Sequence, residues 1–151
     1  MALFPGSVAR LLCRLTLLGG ASAIGASCTL VRVGGTAIVV DGGVRYAGSN
    51  PLPDLALLAE TPVDAVLLTH PHTDDSGGLP VILEACLGAP VLATPPTSDL
   101  VGILLQDALR MRNGPDREAE LPLYSERQVE RLLLIEEAAM NQPHSEGSAG
   151  A

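Results

Sequence analysis

Apolar positions along this chain fall in short runs broken by glycine and proline, the punctuation of strands and helices joined by tight turns. Runs at about residues 13–18, 27–33 and 36–41 read as strands, with Gly34-Gly35 as a tight hairpin turn between the last two. A loop from Val44 to Pro53 leads into a short helix over about 54–60 that carries Leu55, Leu57 and Leu58. Val63 to Leu68 is a near-continuous apolar run, the pattern of a strand buried on both faces. Beyond Pro80 the sequence predicts a short helix over 81–87, stopped by Gly88, and a strand over 89–94. A longer helix follows, capped by Thr97 or Ser98 and ending before Gly114, whose Leu100, Ile103, Leu104 and Met111 recur at helical spacing and are assigned to the core. Ser125-Glu126-Arg127-Gln128 reads as a capping box opening a helix to about Ala139, with Val129, Leu132, Leu133 and Met140 on one face.

The candidate chemistry lies directly after the buried strand, in Thr69-His70-Pro71-His72-Thr73-Asp74-Asp75-Ser76-Gly77-Gly78-Leu79-Pro80. Two of the three histidines and two adjacent carboxylates fall within six residues, a density of metal-ligating groups that points to a metal site. In an extended segment every second side chain shares a side, so His70, His72 and Asp74 are expected to face one pocket. Asp75 is out of phase and joins them only if the chain turns, which Ser76-Gly77-Gly78 favours. Ligand-bearing loops of open α/β sheets gather at the carboxyl ends of the strands, where this motif sits. Asp41, just before Gly42-Gly43, reads from sequence as a turn former.

The stretch resembles the His-x-His-x-Asp-His motif of the metallo-β-lactamase fold, with Gly-Gly-Leu-Pro as that family's continuation. Within the superfamily it is most similar to the β-CASP group of RNA-processing nucleases. Leu18-Gly19-Gly20-Ala21 through Cys28-Thr29-Leu30 and Val39-Val40-Asp41-Gly42-Gly43 resemble that group's opening. Ala93-Thr94-Pro95-Pro96-Thr97-Ser98-Asp99-Leu100 with Leu105-Gln106-Asp107 resembles its post-motif helix, and Pro122-Leu123-Tyr124-Ser125 with Val129-Glu130 a later signature. One departure stands at the centre: Asp75 occupies the place of the last motif histidine. A carboxylate there leans the site toward harder ions such as manganese or magnesium.

The resemblance implies an αββα sandwich, of which this chain carries the N-terminal half as a mixed sheet with flanking helices. It implies two zinc ions holding a hydroxide that attacks the scissile phosphate of RNA. Carried over residue by residue, His70 and His72 bind the first metal, Asp74 binds the second and orients the water, Asp75 takes the lost histidine's place, and Asp41 supports the ligands from behind. His70 and His72 alone leave the first metal one ligand short of the three usual for catalytic zinc, so weak metal binding and little nuclease activity are expected of the isolated chain. A noncatalytic partner subunit of an RNA-processing complex is the alternative, and a lactamase, glyoxalase or other hydrolase of the same fold a third.

Composition adjusts this picture in three places. With 47% hydrophobic but only 2% aromatic residues, the core must be built from Leu, Val, Ile and Ala. The net charge of −8, with nine arginines and no lysine, makes a poor nonspecific nucleic-acid binder, so a basic surface for RNA has to come from elsewhere. Three cysteines without C-x-x-C spacing suit a reduced, cytoplasmic protein. Arg10 to Ala26 imitates a signal peptide with Ala21-Ser22-Ala23 as an A-x-A site, but Gly19-Gly20, Gly25 and Arg14 interrupt it, and strand with loop fits better. No stretch reaches the roughly 18 uninterrupted apolar residues of a membrane helix. The expected organisation is an N-terminal extension over 1–12, a partial metallo-β-lactamase-like domain over 13–140 and a disordered tail over 141–151 that includes His144. Half a sandwich leaves an apolar sheet face open, so a homo-oligomer or a partner subunit is expected to cover it.

Overall fold

The computed structural model describes residues 12–47, 50–113, 124–132 and 136–137. Within them lies a mixed sheet in sequential order: β1 (Cys13–Gly19), β2 (Cys28–Val33), β3 (Thr36–Val40), β4 (Ala65–Leu67), β5 (Val91–Ala93) and β6 (Glu136–Glu137). The first three strands are an antiparallel meander, and β3, β4, β5 and β6 run parallel. The β2–β3 hairpin turns at Gly34-Gly35 with Val33 opposite Thr36, and Gly34 takes the left-handed φ of 62° that such a turn requires. Parallel strands need crossovers, and the helices α1 (Ala56–Ala59), α2 (Thr73–Ser76), α3 (Leu79–Ala85), α4 (Pro95–Asn113) and α5 (Glu126–Leu132) occupy the connections.

One sheet face carries the core. Leu30, Val39, Val66 and Val91 stand side by side across β2 to β5 and are buried together with Leu58, Leu79, Ile82, Val101, Leu105, Leu109, Val129 and Leu132 from the helices. The described core holds a single aromatic ring, Tyr124, as the composition demands. On the opposite face Leu15 and Leu17 are 64% and 59% exposed, and Val31, Ile38, Val40 and Leu67, which share their side by register, are only half-buried.

Three expectations need correction. The core stripe of α4 is Val101, Leu105 and Leu109, spaced four apart below buried Thr97, whereas Leu100, Ile103, Leu104 and Met111 are exposed. Both stripes are apolar, and the buried one is the stripe selected by packing against α5. The helix also starts earlier, at Pro95-Pro96, because proline's fixed φ and missing N–H suit a first turn; the Thr94 carbonyl accepts the Ser98 N–H at 2.9 Å. Finally, α5 ends at Leu132, and Glu136–Glu137 pair with Leu92 and Ala93 as an edge strand where helix was expected to reach Ala139. The open hydrogen-bonding edge of β5 outweighs helical propensity there. The capping box at Ser125 does form in part, with Gln128 Oε1 accepting the Ser125 N–H at 2.6 Å. Leu133, Met140, His144 and residues 1–11 lie outside the described residues.

Burial separates the cysteines. Cys28 and Cys86 are in the core, and desolvation pushes their thiols up to about 12 and about 11, while Cys13 on the edge strand β1 is exposed. Since the thiolate is the reactive form, a thiol-specific reagent is expected to modify one cysteine per native chain, and all three once the chain is denatured. Two or more native equivalents would mean that the packing around Leu30 and Ile82 is open.

Candidate metal centre

The site is built by backbone before any side chain enters. Asp41, immediately after β3, has φ 61°, a left-handed conformation that costs a non-glycine residue about 1 kcal/mol or more. That turn carries Gly42 and Gly43 against the loop after β4. Gly42 N–H donates to the Asp75 carbonyl at 2.6 Å, Ser27 N–H to the Asp74 carbonyl at 3.0 Å, Val44 N–H to the Thr73 carbonyl at 3.2 Å and Gly78 N–H to the Gly42 carbonyl at 2.8 Å. Glycine is needed at 43 for proximity and not for turning: a Cβ there would lie 1.6 Å from the Asp74 carbonyl oxygen.

The extended segment stops earlier than expected. His72 has φ −58° and ψ 140°, and α2 begins at Thr73, with the Asp75 and Ser76 N–H groups donating back to the His72 carbonyl at 2.9 and 2.8 Å. Helical spacing places residue 75, three on from His72, on the same side as the histidines. Accordingly His70, His72 and Asp75 converge, with one ligand atom from each lying within 4.8 Å of the others. Asp74 is not among them, which corrects the expectation that an extended run would present it alongside the imidazoles. The signal was present in the sequence: two adjacent acidic residues ahead of Ser76-Gly77 suit a helical first turn better than a strand end. Ser76, fully buried, donates its hydroxyl to the Pro71 carbonyl at 3.0 Å, with the His72 carbonyl equally near, and so pins the bend.

His70 is the hub. Its Nε2 lies 3.1 Å from His72 Nδ1 and 3.2 Å from Asp75 Oδ2, and the two rings meet edge to face. Its Nδ1 lies 2.8 Å from Thr69 Oγ1. Behind Thr69, the Asp41 carboxylate accepts the Thr69 N–H at 2.9 Å and its hydroxyl at 2.9 to 3.0 Å. Burial raises the Asp41 carboxyl above its ordinary range, and the two Thr69 donors pull it back.

These residues fit a divalent cation. Two donors each bound at about 2.0–2.1 Å in a tetrahedral set would stand roughly 3.3 Å apart, close to the two separations at His70 Nε2. Asp75 sets an acceptor oxygen 3.2 Å from His70 Nε2, so a cation held between them would bind both. The donor set is two imidazoles and one carboxylate, all common ligands of divalent metals.

A mixed sheet that delivers a His-x-His-x-x-Asp set to the carboxyl ends of its parallel strands places the protein among divalent-metal α/β folds. The chain belongs to the metallo-β-lactamase superfamily, whose family model matches residues 22–132. It is 34% identical over 133 residues to the transcription termination factor FttA of Pyrococcus abyssi, covering 80% of this chain and 20% of that protein. Identity to FttA of Cenarchaeum symbiosum is 31% over 124 residues, 79% of this chain and 19% of that protein. The endoribonuclease YSH1 of Gibberella zeae is 30% identical over 112 residues, 72% of this chain and 13% of its own. The resemblance to the β-CASP group therefore holds, and the chain spans a fifth or less of the length of these relatives. Among the described residues, no helix is long and apolar enough to cross a membrane.

Proposed function

We propose that this chain is the metal-binding portion of a β-CASP-type RNA-processing nuclease, a metal-dependent hydrolase of RNA phosphodiesters. The observation that carries the reading is the convergence of His70, His72 and Asp75 at the carboxyl end of β4, in a chain whose relatives include a named endoribonuclease. In this reading His70, His72 and Asp75 would hold one zinc ion. When bound, such an ion lowers the pKa of its water toward about 7 and offsets charge developing on the phosphoryl oxygens. His70 and His72 supply neutral nitrogen donors, and Asp75 supplies the charge that the missing histidine would not. Asp41 holds the His70 ring from behind through Thr69. Asp74, half-buried in the first turn of α2, is the carboxylate left to orient the water and to serve a second ion. Among the described residues His70, His72 and Asp75 are the one cluster of this kind, so the isolated chain is expected to cleave RNA slowly, with completion of the site falling to further ligands. The charge balance of −8 assigns the RNA-binding cations elsewhere as well. The reading goes with a cytoplasmic location, as expected from three cysteines without C-x-x-C spacing.

A second reading, a noncatalytic partner subunit, is favoured by the apolar face around Leu15 and Leu17, which a partner or a second copy would cover. Zinc titration of the purified, chelator-treated chain separates the two. Because Asp75 adds a third ligand to the two histidines on which the expectation of weak binding was based, one equivalent bound with micromolar or tighter affinity is expected; no saturable binding would leave the partner reading standing alone.

A further inference from the structure

The connection between β1 and β2 leaves the sheet at the same end as the metal centre. Gly19 pairs with Cys28, Thr29 with Val40 and Val40 with Leu67, so residues 20–27 lie at the edge where Asp41 and Thr69 follow their strands. Its last residues are stitched to the ligand loop, with Ser27 N–H on the Asp74 carbonyl at 3.0 Å and Ala26 N–H on the Val44 carbonyl at 2.9 Å. The rest is unspent. Among the described residues no acceptor meets the backbone N–H of any residue from Gly20 to Gly25, and the Ser22 hydroxyl and Asn50 side chain likewise have no partner. These groups border a cleft of about 690 Å³, a size common for ligand sites. Arg45 lines it as well, with Nε donating to the Ile24 carbonyl at 3.1 Å and Nη2 to the Gly25 carbonyl at 3.2 Å. A guanidinium carries five N–H groups, so its position is fixed while three of them remain for a ligand.

We propose that this cleft is the subsite for one nucleotide of the substrate strand, its phosphodiester held by Arg45 and the Gly20-Ala21-Ser22 amides and its base laid on Leu17, Leu52 and Leu55. The proposal rests on the RNA reading above and deepens it, by placing the strand beside the metal centre. A planar guanidinium meets two phosphate oxygens at once, a fit that a point charge lacks. A run of unpaired N–H groups adds positive potential without formal charge, which lets a chain of net charge −8 hold an anion locally without a basic surface. The leucines supply the other half of the recognition. Leu17 is 59% exposed at the cleft, an apolar surface that the flat face of a base would cover.

Asp54 sets the charge that the cleft accepts. It lines the same space, with Oδ1 accepting the Ala56 N–H at 3.1 Å. One arginine opposed by one carboxylate suits the single charge of a diester and works against monoesters and polyphosphates, which carry more. Gly25 keeps the connection close to the arginine that anchors it. Its φ is 85°, and a Cβ there would lie 2.9 Å from the Val44 carbonyl oxygen and 3.2 Å from Arg45 Cα. Because Ser27 is bonded to the carbonyl of Asp74, next to the metal-facing Asp75, a nucleotide in the cleft neighbours the one presented to the metal.

The test titrates the full chain, metal-free and labelled with ¹⁵N, with the dinucleoside monophosphate ApA, with adenosine and with inorganic phosphate, following the amide signals of Gly20 to Gly25. ApA is expected to bind in the millimolar range and shift those signals, with adenosine and phosphate each weaker by about tenfold or more. Arg45→Gln is expected to weaken ApA about tenfold, the loss of a charged hydrogen-bond donor. Leu17→Glu, a surface change that opens no core cavity, should weaken it about threefold, and Asp54→Asn, which keeps the acceptor for Ala56, should tighten it by a similar factor of about three. A gain in affinity has no explanation in misfolding. Circular dichroism checks each variant; should Arg45→Gln not fold, Leu17→Glu and Asp54→Asn decide. No binding of ApA, shifts confined to residues 70–76, phosphate as tight as ApA, or unchanged affinity in Arg45→Gln or Asp54→Asn would overturn the proposal. Failure of the chain to bind zinc or cleave RNA would count against the functional reading, and it would leave the outcome of this metal-free titration unaffected.

Discussion

Replacing His70 with alanine is expected to remove zinc binding while leaving the metal-free fold almost untouched. The side chain is 42% exposed and its polar partners are Thr69, His72 and Asp75, so its loss opens no core cavity and the metal-free stability should stay within about 0.5 kcal/mol of wild type. Its Nε2 is nevertheless the atom shared by both short separations of the centre, and without it the remaining pair is a lone imidazole and a lone carboxylate. Losing a residue that only orients a ligand costs about 10–100-fold in metal affinity, so losing the ligand itself should cost more than 100-fold. Thermal unfolding with and without zinc reads both halves at once. At a free zinc concentration of about a hundred times the wild-type Kd, the wild type gains roughly 2.7 kcal/mol of stability and the variant gains none. Equal zinc stabilisation of both chains would remove His70 from the site.

Gly43→Ala is expected to do the opposite, harming the fold first and the site through it. The new methyl would lie 1.6 Å from the Asp74 carbonyl oxygen, 2.2 Å from its carbon and 2.7 Å from the Asp75 nitrogen. All three are backbone atoms, so no rotamer change can clear the space. Relief requires the 41–44 turn to separate from α2, which breaks the Gly42–Asp75 and Val44–Thr73 hydrogen bonds. Overpacking typically costs about 1–3 kcal/mol, and a backbone collision belongs at the upper end of that range or above it. For a chain of this size about 3 kcal/mol corresponds to a fall of roughly 6–12 °C in Tm. Because Asp74 and Asp75 move with the carbonyls they flank, zinc affinity should drop alongside stability. By contrast Gly35→Ala, at a turn with nothing near its added methyl, serves as a control expected to change neither by much.

How much of this was legible in the residues follows from the range of the forces involved. The β1 to β3 meander and the buried β4 were readable because alternation and a Gly-Gly turn are local signals, and the turn falls at Gly34-Gly35 as the pattern requires. The neighbourhood of the centre was readable too, since a His-Pro-His-Thr-Asp-Asp run after a buried strand has few bland explanations. Which aspartate joins the histidines had only the acidic first turn at Asp74-Asp75 to signal it, because α2 is four residues long and a single turn leaves no periodicity to detect. Period two names Asp74; one helical turn names Asp75. On α4 two apolar stripes compete, and only the position of α5 selects Val101, Leu105 and Leu109 over Leu100, Ile103 and Met111. Glu136–Glu137 became a strand through the open edge of β5, a partner more than forty residues away in sequence that no window around residue 136 contains.

The backbone stitching between residues 41–44 and 73–78 bears on the order in which this protein assembles. Three main-chain hydrogen bonds join these segments, Gly42–Asp75, Val44–Thr73 and Gly78–Gly42, and a fourth from Ser27 to Asp74 also holds the ligand loop, none of them drawing on the imidazoles or the carboxylate it presents. Small zinc modules that collapse around their ion behave differently, since their chains are unfolded without it. Under the proposed function, chain folding would precede metal loading here, and a chelator is expected to leave the backbone of the ligand loop folded.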